Sequence, residues 1–310
     1  MEVIVAEKGG FCFGVKRAVK MAFDTAAQYP NHVHSIGPLI HNPQMVDRLA
    51  QAGVETVSAL GEVPVVDAQK HAVIFRSHGV SSPGIMKDAH DAGFHVVDAT
   101  CPFVANAQTD AKQLVDEGYT VVMIGDRNHP ETQSVLSHAG GDILVTESFE
   151  EIRQRLNKYP KKRLGLIAQT TQTFAKFSEM VTRCLAICTE IKIFNTICYA
   201  TEDNQTEVQD MAEQVDAMVV VGGKNSANTG HLAQLCRMKG VPTYHIETAA
   251  EIEPAWFGGV NRVGVAAGAS TPDWIIEEVV SRLTHLPPDH PSTGTMAEVC
   301  SAGALAPRTL

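Results

Sequence analysis

Three cysteines recur at nearly equal intervals along the chain, and each opens a similar stretch of sequence. Cys12, Cys101 and Cys198 are separated by 89 and 97 residues, and a short apolar run ending in glycine follows each of them. Thiolates are soft ligands that iron–sulfur clusters and zinc both favour. A repeat that delivers one thiol from each of three copies therefore predicts one shared metal site.

Two sets of polar residues recur in register with these cysteines. One set follows the glycine by four residues, and the other ends a later apolar run. The first set is His41, His129 and Ser226, and the second set is His78, Thr170 and Ser270. Together with Asn228 they offer hydrogen-bond donors without compensating carboxylates, which suits a phosphate-rich anion. The serine and asparagine are equally well interpreted, one at a time, as helix caps.

Glu131 is the one acidic residue in this constellation, two positions after His129. Partial burial raises the pKa of a carboxyl group and suits it to proton transfer near a metal-bound oxygen. The hydroxyl of Thr170 can relay such a proton. The alternative roles are a first-turn helix acid for Glu131 and a helix cap for Thr170.

The composition excludes several classes of protein. Of the 310 residues, 44% are hydrophobic and 19% are charged, which is typical of a globular protein. A net charge of −10 without a basic stripe argues against nucleic-acid binding. The N-terminus lacks the features of a signal peptide, and no apolar run approaches the ~20 residues of a membrane span, so we expect a cytosolic protein. Seven cysteines in that compartment do not predict a disulfide framework.

Strand and helix patterns alternate throughout the chain, which predicts an α/β protein with mainly parallel sheets. Strands are predicted at 2–6, 32–37, 72–76, 95–99, 119–124, 142–145, 163–168, 191–196, 217–221, 243–246 and 262–267. Helices are predicted at 14–28, 43–52, 102–117, 173–188, 202–215, 229–239 and 273–284. Each recurring cysteine then lies in a strand-to-helix loop, where the helix dipole favours a thiolate.

The repeat divides the chain into three pseudo-repeated α/β lobes around the shared site. We expect the first lobe at 14–100, the second at 101–197 and the third at 198–284. The N-terminal strand within 1–13 is expected to join the third lobe. Residues 285–310 are rich in Pro, Gly, Ser and Ala without periodicity, which predicts a flexible tail.

Three thiolates with no fourth in register suit a [4Fe–4S] cluster that leaves one iron open. Zinc held by three sulfurs and a histidine is the competing interpretation, although the local CxxC pairs of many zinc sites are absent. Cys184 and Cys188 stand four residues apart on a predicted helix and are interpreted, like Cys236, as core residues. Cys300 lies in the predicted tail and is assigned no role.

Seven short motifs in order along the chain resemble those of the 4-hydroxy-3-methylbut-2-enyl diphosphate reductases, the LytB family. The resemblance covers about residues 1–284. The motifs are Gly10-Phe11-Cys12-Phe13-Gly14-Val15, Ser77-His78-Gly79-Val80, Asp98-Ala99-Thr100-Cys101-Pro102, His129-Pro130-Glu131, Gln169-Thr170-Thr171, Ile197-Cys198-Tyr199-Ala200-Thr201 and Gly268-Ala269-Ser270.

The resemblance implies a role for each candidate residue. It implies that Cys12, Cys101 and Cys198 hold a central [4Fe–4S] cluster with an open iron. The residues implied to bind the substrate diphosphate are His41, His78, Ser226, Asn228 and Ser270. Those implied to surround the allylic hydroxyl, in binding and in catalysis, are His129, Glu131 and Thr170. The family's Ser-Ser-Asn reads Ser226-Ala227-Asn228 here, so one hydroxyl contact is lost and only a backbone N–H remains.

The activity implied is an oxidoreductase that converts (E)-4-hydroxy-3-methylbut-2-enyl diphosphate to isopentenyl and dimethylallyl diphosphate. This is the last step of the methylerythritol phosphate route to isoprenoids, and ferredoxin or flavodoxin is the implied electron donor. Two alternatives from other classes remain open. One is a zinc-dependent hydrolase or lyase acting on a phosphorylated metabolite, and the other is a cluster-bearing redox sensor, although the sequence shows no DNA-reading module.

Overall fold

The structure is a computed structural model that describes residues 1–82, 84–158 and 163–286. Across these residues, twelve strands form three separate four-stranded sheets, and all the paired strands are parallel. The predicted α/β class with three lobes is confirmed. The predicted tail lies almost wholly outside the described residues. Within them, no helix combines the length and the apolar character of a membrane span.

The first sheet has the order β3-β2-β4-β5. Its strands are β2 (Val33–Ile36), β3 (Val54–Val57), β4 (Ala72–Phe75) and β5 (His95–Asp98). The helices in this part of the chain are α1 (Phe13–Gln28), α2 (Pro43–Gln51) and α3 (Gly84–Asp91). All four residues of β4 are buried, as expected of an inner parallel strand that is covered on both faces.

The second sheet has the order β7-β6-β8-β9. Its strands are β6 (Thr120–Ile124), β7 (Leu144–Thr146), β8 (Arg163–Ala168) and β9 (Glu190–Ile193). The helices are α4 (Pro102–Asp116), α5 (Pro130–Ala139), α6 (Phe149–Leu156) and α7 (Phe174–Cys184). The single helix predicted over 173–188 is wrong at its end, because α7 stops at Cys184 and the chain turns at Leu185. Cys188 therefore does not share a helical face with the fully buried Cys184.

The third sheet has the order β1-β12-β10-β11 and pairs the N-terminal strand with the last strand of the described residues. Its strands are β1 (Glu2–Val5), β10 (Ala217–Val221), β11 (Thr243–Ile246) and β12 (Arg262–Ala267). The helices are α8 (Tyr199–Ala212), α9 (Ala227–Met238) and α10 (Asp273–Thr284). The N-terminal strand pairs with β12 in register from Glu2 with Arg262 to Val5 with Val265.

The three sheets share one topology. In each lobe the strands can be numbered 1 to 4 in chain order, starting at β2, β6 and β10, with β1 taken as the fourth strand of the third lobe. The order across the sheet is then 2-1-3-4 in every lobe. Strand order reverses between the first and third strands of such a sheet, and ligands bind at the carboxyl ends of the strands at that point. Each lobe therefore presents an equivalent binding edge.

Candidate active site

One cavity is lined by residues from the carboxyl edges of all three sheets. It contains all eleven residues that the sequence singled out: Cys12, His41, His78, Cys101, His129, Glu131, Thr170, Cys198, Ser226, Asn228 and Ser270. Gly14, Phe103, Thr201 and Ala227 also line it. Residues separated by up to 258 positions thus share one cavity because the three lobes converge on it.

The three cysteines are positioned in the same way. Each follows the fourth strand of its sheet and is the N-cap of the next helix, α1, α4 or α8. Each backbone N–H also donates to a carbonyl just past the third strand of the same sheet. The bonds run from Cys12 to Ala269 at 3.0 Å, from Cys101 to Ser77 at 2.9 Å and from Cys198 to Thr170 at 2.9 Å.

The sulfur atoms lie close together and are partly withdrawn from water. A Cβ on Gly14 would lie 2.5 Å from Sγ of Cys101 and 4.0 Å from Sγ of Cys12. Burial raises the pKa of Cys101, and it raises the pKa of Cys198 to about 11, a shift to which Cys12 and Cys101 add. Thiolates at these buried positions need a bound cation to compensate their negative charge. Sulfur ligands are favoured by metal ions, and Gly14, which has no Cβ, leaves space beside the sulfur atoms, so the residues fit a metal–sulfur centre.

Three imidazoles occupy the part of the cavity formed by the first two lobes. The ring centroids of His41 and His78 are 4.4 Å apart, and His129 lies 5.3 and 5.5 Å from these two. Burial lowers the pKa of each ring, to about 4 for His129. All three imidazoles are therefore neutral near pH 7.

The hydrogen bonding of these imidazoles favours an anion over a metal ion as their ligand. One nitrogen from each ring lies within 4.8 Å of the others, which by distance alone suits an ion. Nδ1 of His129, however, accepts the N–H of Glu131 at 3.2 Å, so its proton is on Nε2 and that nitrogen is a donor. Nε2 of His41 and Nδ1 of His78 are buried without partners, as expected of groups that await a ligand.

Glu131 and Thr170 form a closely coupled pair. The carboxyl group is 2% exposed, and its Oε1 accepts the backbone N–H of Thr170 at 2.7 Å. Its Oε2 accepts the Thr170 hydroxyl, also at 2.7 Å. Burial raises the pKa of Glu131, while the two bonds from Thr170 oppose the shift. This pair can hold a proton inside the cavity and pass it on through Oγ1 of Thr170.

The third lobe supplies further donors. Ser226 caps α9, with its hydroxyl accepting from the N–H of Thr229, so the helix-cap interpretation applies to it. Asn228 lies inside the first turn, and both polar atoms of its amide are buried without a partner. The hydroxyl of Ser270 donates to the carbonyl of His41 at 3.2 Å, which links the third lobe to the first. An orphaned buried amide indicates that Asn228 faces a ligand position.

Arg76 is a residue that the sequence reasoning missed. It directly precedes Ser77 and His78, and burial lowers the pKa of its guanidinium. Among the described residues its guanidinium has no ion-pair or hydrogen-bond partner, and its positive charge contributes to the lowered pKa of His41, His78 and His129. Its place beside a site motif was the available signal. Arg76 lines a different cavity, with Gly37 and Gly79, and its permanent positive charge acts on the neutral imidazoles through space.

The fold and the site together define a class of protein, in which three α/β lobes converge on one cavity lined by thiols and imidazoles. The sequence matches the LytB protein family over residues 3–284. The chain therefore belongs to the LytB family.

Relatives and solved structures agree over most of the chain. A 4-hydroxy-3-methylbut-2-enyl diphosphate reductase of Geobacter metallireducens is 48% identical over 92% of this chain and 98% of its own length. That of Pelobacter propionicus is 49% identical over 91% and 98%. A solved (E)-4-hydroxy-3-methyl-but-2-enyl diphosphate reductase, described as the terminal enzyme of the non-mevalonate pathway, is 44% identical over 92% and 99%, with a TM-score of 0.67. The Plasmodium falciparum reductase is 26% identical over 92% and 89%, with a TM-score of 0.84.

Anion binding should be coupled to proton uptake. The imidazoles are neutral in the free protein, and a bound diphosphate raises their pKa values, so binding takes up protons. Affinity should fall as the pH rises through the bound-state values. Calorimetry with inorganic diphosphate in buffers of different ionisation enthalpy measures this uptake. His78→Gln should reduce it and the exposed His90→Gln should not. If no net protons are taken up, after correction for the protons of the diphosphate itself, the assignment of these imidazoles to anion binding would be contradicted.

Arg76→Gln should weaken the binding of inorganic diphosphate by about tenfold, because it removes a poorly solvated positive charge beside the imidazoles. Arg237→Gln, at an exposed position near the end of α9, is the matched control and should change affinity by less than about twofold. Calorimetry at fixed pH and salt compares the two variants. Equal affinities would show that Arg76 does not act on this cavity.

Proposed function

We propose that this protein is an iron–sulfur reductase that removes the allylic hydroxyl of (E)-4-hydroxy-3-methylbut-2-enyl diphosphate. The products are isopentenyl and dimethylallyl diphosphate, as in the last step of the non-mevalonate route. The observation that carries the proposal is that three thiols, three neutral imidazoles and the Glu131–Thr170 pair line one cavity. The names of the relatives supply the reaction.

Cys12, Cys101 and Cys198 are proposed to hold one [4Fe–4S] cluster with an iron that has no protein ligand. When bound, this group supplies electrons one at a time and a Lewis-acidic metal for the departing oxygen. The residues fit it because each thiol stands at a helix N-terminus, where backbone N–H groups favour a thiolate. For Cys198 these are the N–H groups of Ala200 and Thr201, which offset part of the pKa increase caused by burial.

The imidazoles and the third lobe are proposed to bind the diphosphate. Nε2 of His41, Nδ1 of His78 and Nδ2 of Asn228 are buried without partners, and each can donate a hydrogen bond to a phosphate oxygen. The hydroxyls of Ser226 and Ser270 add two further groups at the same end. A diphosphate held from several sides fixes the orientation of the short carbon chain, which is worth a large part of the catalytic effect.

Glu131, Thr170 and His129 are proposed to supply a proton to the hydroxyl oxygen. A neutral Glu131 can donate through Oγ1 of Thr170, and the oxygen then leaves as water. The overall reaction consumes two electrons and two protons for each allylic alcohol. The second proton adds to either end of the allyl system, which accounts for two products. We place the reaction in the cytosol, where thiols stay reduced, with ferredoxin or flavodoxin as the electron donor.

Glu131→Gln should lower turnover at least 100-fold while diphosphate affinity stays within about threefold, because Gln keeps the bond from the Thr170 N–H but cannot donate a carboxylic proton. Glu151→Gln removes an exposed carboxylate of the same lobe, on α6, and should retain full activity. An anaerobic assay with the allylic diphosphate and reduced methyl viologen measures both variants. Full turnover by Glu131→Gln would remove its proton-transfer role.

Cys198→Ser should abolish the brown absorbance of the anaerobically purified protein, because a hydroxyl is a poor ligand for iron in such a cluster. Cys188→Ser changes a cysteine outside the cavity and should leave the spectrum unchanged. The visible spectrum and the iron content are compared between both variants and the wild-type protein. An unaltered spectrum in Cys198→Ser would contradict the ligand assignment.

A further inference from the structure

The surface next to the sulfur end of the cavity carries exposed aromatic side chains. Phe13 and Tyr199 directly follow Cys12 and Cys198, and each is 57% exposed. Phe103 packs edge-on against Tyr199 with ring centroids 5.1 Å apart. Exposed aromatic side chains that cluster at one part of a surface are a feature of interaction sites. Phe103 follows Cys101 after one intervening residue, so all three rings lie within two positions of a recurring cysteine.

Helix α1 adds a positive charge that contrasts with the rest of the protein. Lys16, Arg17 and Lys20 lie on α1, whose single acidic residue is Asp24, although the whole chain has a net charge of −10. A surface groove along α1 is lined by Phe13, Lys16, Arg17, Lys20, Met21 and Asp24. This basic groove therefore begins at the residue that follows Cys12.

Arg17 links this groove to a second cysteine-bearing loop. Its guanidinium donates to the carbonyl of Thr100 at 3.0 Å and to that of Asp98 at 3.3 Å, just before Cys101. These partners are neutral, so the charge of Arg17 is held in place without being cancelled by a carboxylate. Within the described residues Lys16 has no ion-pair partner either, whereas Lys20 pairs with Asp24.

Helix α8, which begins at Tyr199, is acidic by contrast with α1. Glu202, Asp203 and Glu207 lie on α8, close after Tyr199. An acidic partner would be attracted to α1 and repelled by α8, so it would settle over Phe13 and not over the middle of α8. The charge distribution thus defines both the kind of partner and its side of approach.

We propose that Phe13, Lys16, Arg17 and Lys20 form the docking surface for a small acidic protein that carries one electron at a time. The inference rests on the proposed reductase function and specifies where its electrons enter. Each docking event oxidises one carrier by one electron. Two such events, with two protons from solvent, convert one allylic alcohol to one alkene and one water. Docking over Phe13 places the carrier at the cysteine ends of α1 and α4.

Binding of an oxidised acidic [2Fe–2S] ferredoxin to the holoprotein tests the surface without requiring turnover. Lys16→Glu and Lys20→Glu should each weaken binding by about tenfold at low salt, and high salt should weaken wild-type binding while narrowing the difference. Lys87→Glu is the matched control. Lys87 pairs with Asp91 and Lys20 pairs with Asp24, both across one helical turn at 2.5 Å, but Lys87 lies on α3. The control should bind like wild type.

Turnover with two donors provides the second readout. Lys16→Glu and Lys20→Glu should raise the KM for reduced ferredoxin and leave turnover with reduced methyl viologen unchanged. Wild-type ferredoxin affinity in both variants, or equal weakening by Lys87→Glu, would overturn the docking surface. Charge-sensitive ferredoxin binding without conversion of the allylic diphosphate by either donor would instead refute the proposed function and leave the surface standing.

Discussion

A single backbone hydrogen bond, made once in each lobe, determines the geometry of the whole site. In every lobe the N–H of the cysteine after the fourth strand donates to a carbonyl just past the third strand, at 2.9 to 3.0 Å. The cysteine is thereby fixed beside the strand that carries the lobe's polar site residue, and the following helix begins there. Because the three sheets share one strand order, three equivalent bonds bring three thiols to one cavity. The N-terminal strand completes this symmetry by serving as the fourth strand of the last sheet.

The electrostatics of the cavity follow from burial. The imidazoles and the Glu131 carboxyl are all shifted toward their neutral forms, so the free cavity avoids the cost of isolated buried charges. Arg76 is the exception, since it keeps a full charge at a partly buried position. A cavity of neutral donors with one adjacent cation can accept a polyanion and a proton together. The buried thiols, as thiolates, need a cationic metal centre to compensate their negative charge. They line the same cavity as the neutral donors that suit a polyanion.

All eleven residues that the sequence singled out line one cavity, whereas several of the elements between them were not predicted. Repeat spacing was informative because each strand end must reach the same centre, which holds the cysteines in register. Strand β3 was not predicted because Glu55 and Thr56 in its middle are polar and exposed. Helix α5 was not predicted as an element, although Pro130 and Glu131 at its start both favour a first helical turn. The contact between Glu131 and Thr170 joins residues 39 positions apart and has no local signature, whereas the place of Arg76 directly before Ser77 and His78 was a signal that the sequence reasoning did not use.

The central claim is that one cluster is held by three thiols from three lobes and retains one iron without a protein ligand. Metal and sulfide analysis of the anaerobically purified protein, combined with Mössbauer spectroscopy, tests this claim most directly. We expect about four irons and about four sulfides per chain, with one iron site distinct from the others and altered when the allylic diphosphate binds. A protein that contains zinc in place of iron, or a cluster whose irons are all equivalent and indifferent to the diphosphate, would contradict the account.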